Sequence, residues 1–389
     1  MIISLIIPAL GNPLSLKKVI NAIQKQTLQP NEIVIVDSSP NDEVENLSLS
    51  FQAQLPIKYF RVKSLYPGEA RNFGISKSEG DIIATLDSKT IPKEDWLEES
   101  IEKINSDEYE ISFGSTTYKA NLPFQKVLRA CIYGKKTVQT LPGSVFSRDT
   151  FYRVGTFAEG TRSGEDLEWR NRAKKKDISI YTHQKAKLIY TEISKNIFQE
   201  IKRAFIYQLH GAKLDVQLRT RLVIFGIGVL MITLLIPQWN NLVGWESSRF
   251  YIANITKSYF YFLSIFTIIS LAFFHKFNKV ARNIWFKFLF FSIFILSSFF
   301  VFQWNAAMAN WVEESVYYIP HITKIYLSLL FLSGIFFRGL YIPISRGIAL
   351  NYIFPIRWVV VGLVGTIIDL AKFPGYFIGA IFGLARLAK

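Results

Sequence analysis

Apolar residues fall in two patterns along this chain. Over the first 190 residues they form short runs broken by polar, glycine- and proline-containing stretches. Beyond about residue 220 the runs are long enough to cross a bilayer. Ile2–Ile7 is an apolar run closed by Pro8, and Glu32–Val36 is a second that ends at Asp37 and the turn Ser38–Asp42. Ile57–Val62 is a third, and Ile82–Thr85 leads through Leu86 to Asp87. Ile111–Thr117 and Leu141–Phe146 continue the series. Runs apolar on both faces predict buried strands of a parallel sheet. Between them, Leu14–Thr27 places Leu16, Val19, Ile20 and Ile23 at helical spacing, and Pro67–Ile75 and Trp96–Ile104 read as further helices. This alternation predicts an α/β, doubly wound sheet. The start, MIISLIIPALG, lacks a basic region before its apolar residues and reads as the first strand rather than a leader.

Open α/β sheets bind ligands beyond the carboxyl ends of their strands. That rule singles out Pro8, Asp37 and Asp87, although a strand-end aspartate also serves as an ordinary turn cap. Arg71, in PGEARNFGI, carries a planar donor fork suited to an anion and equally suits a helix surface. Further on, Gly164 precedes Glu165 and Asp166, after which helical spacing resumes through Leu167, Trp169 and Arg170. Acids in a first helical turn are ordinary partners of the helix dipole.

Composition narrows the possibilities. The 389 residues carry a formal charge of +15, and half are hydrophobic. The single cysteine, Cys131, excludes an internal disulfide, and four histidines argue against a Cys/His zinc site. Neither GxGxxG nor GxxxxGK[ST] occurs in the first half, so no dinucleotide or NTPase phosphate loop is signalled. The basic residues crowd at the edges of the long apolar runs without any nucleic-acid motif, which points to membrane lipids and not to nucleic acid.

Three stretches taken together carry a resemblance: SLIIPALGNPLSLKKVINAIQKQTLQPNEIVIVDSSPND, PGEARNFGISKSEGDIIATLDSKTIPKEDWL and VGTFAEGTRSGEDLEWRNRAKKK. The first 190 residues resemble the family 2 glycosyltransferases, inverting enzymes that use nucleotide-diphospho-sugar donors and have the Rossmann-like GT-A fold. The resemblance implies that Asp37 recognises the donor's base or ribose. It implies that the motif from Asp87 to Lys89 flanks the diphosphate and its divalent cation, Mg2+ or Mn2+, with Asp87 as metal ligand. Asp166 then becomes the general base with Glu165 beside it. Pro8 and Arg71 fall on the donor side, and Trp169 and Arg170 on the acceptor side. The family's Asp-x-Asp motif reads Asp-Ser-Lys here. A protonated lysine repels a divalent cation and cannot ligate it. Asp87 alone then holds the metal with phosphate oxygens, or Lys89 replaces it, or activity is lost; the acid pair favours activity.

The second half predicts a membrane region. Between residues 191 and 220, Ile193, Ile197, Ile201, Phe205 and Leu209 recur every four residues, predicting an amphipathic helix at the membrane interface. Residues 221–389 predict a multi-span helical domain, with spans at Leu222–Ile236, Phe250–Phe274, Trp285–Trp304 and Ile325–Ile342. Lys276, Lys279 and Arg282 lie between the second and third, with Lys287 at the start of the third, whereas Glu313 and Glu314 follow the third. The positive-inside rule places the basic loop and the N-terminal domain in the cytoplasm. Trp358–Leu384 reads as a re-entrant hairpin bent at Pro374–Gly375. The alternative, one tilted span, would bring Asp369 and Lys372 near mid-bilayer, where the two would pair with each other or meet a lipid phosphate.

The expected protein is a glycosyltransferase of the inner or plasma membrane. Its expected donor is a nucleotide-diphosphate sugar, its acceptor a polyprenyl-linked glycan, and its product a cell-surface polysaccharide. Two alternatives stand beside it. One is transfer to polyprenyl phosphate itself; the other is an inactive, membrane-bound protein that binds sugar nucleotides.

Overall fold

The computed structural model describes residues 1–106, 108–214, 216, 239–253, 261, 265 and 322–387. The chain divides into two units, one of residues 1–216 with 338–389, the other of 217–337.

In the first unit, each apolar run of the N-terminal half becomes a strand. The strands are β1 (Ile3–Ala9), β2 (Glu32–Asp37), β3 (Ile57–Arg61), β4 (Ile82–Thr85), β5 (Thr90–Pro92), β6 (Ile111–Tyr118), β7 (Val138–Ser147), β8 (Ile180–Thr182) and β9 (Leu188–Tyr190). They form one sheet in the order β3-β2-β1-β4-β7-β6-β9-β5, with β8 on β6. The helices between them are α1 (Pro13–Ile23), α2 (Glu43–Phe51), α3 (Pro67–Lys77), α4 (Trp96–Asn105), α5 (Pro123–Leu128), α6 (Arg148–Val154) and α7 (Glu165–Lys175). A π-type turn, Arg129–Tyr133, extends α5.

β1 to β4 are parallel, as the alternation of runs and helices predicts. The remainder of the sheet is mixed, because β7 lies antiparallel to both β4 and β6. A two-faced apolar run shows burial but carries no sign of strand direction. One apolar core packs α1 and α4 against one face of the sheet, around Leu16, Ile20, Trp96 and Leu97. A second packs α3, α6 and α7 against the other, around Phe146, Phe151, Phe157 and Trp169.

After the sheet, α8 (Ile197–Gly211) lies within the segment where an amphipathic helix was expected. Its most buried side chains are Glu200, Ala204 and Gln208, while Ile201, Phe205 and Leu209 are half-buried at the flanks. The reason is its partner, a long helix over Arg357–Leu387 that packs along α8. A Cβ built on Gly375 would lie 2.5 Å from the Phe205 carbonyl oxygen, and one on Gly379 would lie 2.1 Å from that of Leu209. The glycines therefore let the two backbones approach.

This long helix corrects the expected hairpin: Pro374 sits inside it and the chain does not turn back. Asp369, the acid that argued for a bend, is neutralised within the protein. Its carboxylate takes Arg338 Nε at 2.9 Å and Lys372 Nζ at 3.0 Å. Residues 357–376 make the one helix, among those described, long and apolar enough to cross a membrane.

In the second unit the described residues form a short helix, Trp239–Val243, and α9 (Ile322–Phe336). The long helix of the first unit, Arg357–Leu387, is α10 hereafter. The expected spans Leu222–Ile236 and Trp285–Trp304, and nearly all of Phe250–Phe274, lie outside the described residues. The fourth, Ile325–Ile342, is helical throughout, with a π-type turn at Phe337–Tyr341.

Candidate functional site

Parallel strands that start together end together, so the carboxyl ends of β1, β2 and β4 share one edge. Ala9 pairs with Asp37 there, and Ile6 with Thr85, two residues before Asp87. Asp37 is fully buried. Tyr59 donates its hydroxyl to Asp37 Oδ2 at 2.8 Å, and the Ser39 amide donates to Oδ1 at 2.8 Å. Burial beside this carboxylate pushes the Tyr59 phenol up, so it remains a donor.

The segment Gly68–Asn72 fixes the loop before α7 through several side chains. A Cβ on Gly68 would fall 2.6 Å from the Ala158 carbonyl oxygen, so only glycine lets this loop close on α3. Glu69 Oε1 accepts from the Gly160 amide at 2.7 Å, and Asn72 exchanges two hydrogen bonds with the backbone of Phe157. Between them Arg71 is buried and forked: Nη2 meets Asp87 Oδ1 at 2.7 Å, and Nη1 meets Glu165 Oε1 at 3.0 Å. Burial opposes its charge, but the two carboxylates outweigh that and hold its pKa above the usual value. Arg71 thus joins the end of β4 to the start of α7 and does not reach out as a surface residue.

Burial pushes Glu165 and Asp166 above the ordinary carboxylate range. Arg71 pulls both back, and for Asp166 the Leu167 amide, 2.8 Å from Oδ1, pulls further. A carboxylate with a raised pKa is a stronger base, as proton abstraction from a hydroxyl requires.

A cleft opens at Asp87, which Arg71 links to Glu165; Glu165 and Asp166 are not among its lining residues. Its lining includes Ser38, Asp87, Lys89, Arg162, Tyr190 and Tyr207, with Pro8 at the end of β1. Of the expected donor-side residues, Pro8, Asp87 and Lys89 line it; Asp37 and Arg71 stand behind the wall. Arg170 Nη1 donates to Gln139 Oε1 at 2.9 Å and is half-buried. Trp169 requires a correction. It is fully buried among Phe113, Phe146, Phe151 and Phe157, and its Nε1 donates to the Gly155 carbonyl at 2.7 Å. It anchors α7 and cannot face an acceptor.

A metal fits this donor set poorly. Asp87 Oδ1 is committed to Arg71, the next ionisable side chain is the Lys89 ammonium, and no three His, Cys, Asp or Glu side chains cluster among the described residues. The cations of Lys89 and Arg162 fit a diphosphate instead.

Residues 4–163 match the model of glycosyl transferase family 2. The family match takes in β1 to α6 and ends just short of Glu165. Glycosyltransferase AglE of Haloferax volcanii is 25% identical over 191 residues, 46% of this chain and 63% of that protein. An uncharacterized glycosyltransferase of Rickettsia conorii is 31% identical over 193 residues, 45% of this chain and 31% of that protein. The chain therefore spans about two thirds or less of the length of these curated relatives. Among solved structures, S. aureus TarS 1-349 in complex with UDP-GlcNAc covers 56% of this chain and 68% of its own, at 16% identity and a TM-score of 0.41. The mannosyltransferase PcManGT from Pyrobaculum calidifontis, in complex with GDP-Man and Mn2+, has 17% identity, covers 54% and 62%, and has a TM-score of 0.41.

Sequence reasoning passed over Glu69, Asn72, Arg162, Tyr190 and Tyr207. Glu69 and Asn72 stood inside the quoted PGEARNFG, and Arg162 inside GTRSGED. Tyr207 sat unremarked on the helix read from its apolar spacing.

Proposed function

We propose that this chain is a membrane-bound, inverting glycosyltransferase that moves a sugar from a nucleotide-diphosphate donor to a lipid-linked glycan acceptor in making a cell-surface polysaccharide. The observation that carries it is Arg71 joining Asp87, at the end of β4, to Glu165, which precedes Asp166 at the start of α7, with Asp87 lining a cleft that holds two cations. The family match over residues 4–163 supports the same reading.

In this mechanism the nucleoside lies toward Asp37 and Ser38, and its diphosphate lies against Lys89 and Arg162. The acceptor hydroxyl oxygen forms a bond to the anomeric carbon from the opposite face. The bond from that carbon to the diphosphate oxygen breaks, and its electron pair leaves with the nucleoside diphosphate. The hydroxyl proton passes to Asp166. Charge develops on the departing oxygen, where Lys89 and Arg162 stabilise it. Back-side attack inverts the anomeric configuration.

Support for the membrane comes from α10. Ile356, just before it, and Val360, Leu363, Ile367, Leu370 and Ile378 along it are exposed apolar residues at helical spacing. An apolar stripe of this length on a charged protein fits a lipid environment.

The test is an assay of the purified full chain with a panel of nucleotide sugars and short polyprenyl-linked acceptors. Transfer with inversion, lost in Asp166→Asn, is expected. Absence of both nucleotide binding and transfer overturns the proposal.

A further inference from the structure

Beside the cleft lies a partial ring of aromatic side chains about an arginine, two of which, Tyr190 and Tyr207, line it. Tyr118, at the end of β6, stacks on Tyr133 of the π-type turn, with ring centroids 4.3 Å apart and planes 25° apart. Tyr118 also packs on Tyr190 at 5.4 Å. The Arg203 guanidinium, from α8, lies 5.4 Å from the Tyr133 ring centre and 5.8 Å from that of Tyr207. The two ends of this chain of contacts, Tyr190 and Tyr207, line the cleft with Asp87 and Lys89. Tyr118 lies close enough to feel the charges of Arg203, Asp166 and Asp87.

The ring has capacity its own contacts do not use. Arg203 spends Nη2 on Glu200 at 2.9 Å, and the rest of its fork has no partner among the described residues. The buried Tyr133 hydroxyl lacks a partner, and the partly exposed Arg203 fork beside it keeps donors free for a ligand. A planar guanidinium is suited to phosphate, and tyrosine faces are suited to sugar rings. Lys89 and Arg162 are already assigned to the donor's diphosphate, which leaves Arg203 for the other substrate. α8 is also the helix that packs on α10, so the same element meets both the cleft and the apolar layer that a lipid would follow.

We infer that Arg203, with Tyr118, Tyr190 and Tyr207, forms the acceptor subsite: the guanidinium holds a phosphate or diphosphate of the acceptor, and the rings hold its sugar beside Asp166. The inference rests on the glycosyltransferase reading and gives its acceptor an anionic group adjoining the sugar.

The experiment is calorimetric titration of the full chain in detergent, with UDP or GDP, whichever binds, held saturating. The probes are farnesyl diphosphate, inorganic pyrophosphate and farnesol. Farnesyl diphosphate binds the native chain and farnesol binds far more weakly. Arg203→Gln weakens farnesyl diphosphate at least tenfold and leaves nucleotide affinity within twofold. Arg203→Lys, which keeps the charge and loses the fork, falls between them and serves if the glutamine variant fails to fold. Pyrophosphate binding as tightly as farnesyl diphosphate, and equally dependent on Arg203, supports the anion site and assigns its phosphate to a soluble acceptor. Weaker pyrophosphate binding supports it and assigns the phosphate to a lipid. Unchanged farnesyl diphosphate affinity in Arg203→Gln, or none in the native chain while a nucleotide still binds, overturns this inference alone. A native chain that binds neither UDP nor GDP overturns the glycosyltransferase reading itself.

Discussion

The guanidinium of Arg71 meets the carboxylate of Glu165 at 3.0 Å, although 94 residues separate them in the chain. Through its other arm the same side chain holds Asp87, so one buried cation sets the distance between the end of β4 and the start of α7, where Glu165 and Asp166 lie.

Removing that cation leaves Glu165 buried and unpaired. Arg71→Met is expected to destabilise the protein by about 3–5 kcal/mol, the usual cost of breaking a buried pair from one side. Most of this comes from Glu165, since Asp87 is partly open to solvent. Thermal unfolding of the purified chain checks it; a shift in midpoint no larger than that of a surface arginine variant removes Arg71 from this role.

The raised pKa values of Glu165 and Asp166 give stability and activity opposite pH trends. Burial raises both above the ordinary carboxylate range, so the folded state binds protons more readily than the unfolded chain. Their contribution to stability is fully present below that range and is lost as pH rises through the raised pKa values. With Asp166 as the proposed base, activity needs it ionised, so kcat/KM is expected to rise across the same window. Parallel pH profiles of unfolding and turnover test this, and Asp166→Asn should lose the rate while keeping more of its stability as pH rises.

Lys89 should decide metal dependence. In the native chain, chelation with EDTA is expected to change UDP or GDP affinity by less than twofold, because Lys89 and Arg162 supply the positive charge. Lys89→Asp places a second carboxylate two residues after Asp87 and should make nucleotide affinity depend on Mn2+. Titrations with and without Mn2+ read both arms; strong metal dependence in the native chain contradicts the assignment.

The contact between α8 and α10 is tight enough that a methyl group matters. Gly379→Ala would force Cβ against the Leu209 carbonyl and is expected to cost about 1–3 kcal/mol. Melting of the detergent-solubilised chain measures it. An unchanged midpoint would mean that the helices separate without penalty.

Much of this was legible in the residues alone. Uninterrupted apolar runs marked β1, β2 and β4, because a strand covered on both faces must be apolar on both, while β3, β6 and the end of β7 were marked by shorter mixed runs. Pro8, Asp37 and Asp87 followed from their places at strand ends, since a parallel sheet brings those ends to one edge. The pairing of Asp369 with Lys372 was also readable, being one helical turn apart, though its second cation, Arg338, was not. Short strands such as β5, β8 and β9 left no periodic signal at three residues each.

What tertiary structure alone decided was which side chains face which. Trp169 and Arg170 are adjacent in sequence, yet one is sealed in the aromatic core and the other reaches Gln139, because neighbouring positions on a helix point about 100° apart. Arg71 could have been a surface residue until Asp87 and Glu165 closed on it from distant parts of the chain. Local pattern determines strand, helix and the edge where ligands bind, since these depend on a few consecutive residues meeting water or core. Ion pairs, the tyrosine ring about Arg203 and the continuous course of α10 depend on contacts between segments far apart, and only packing brings those segments together.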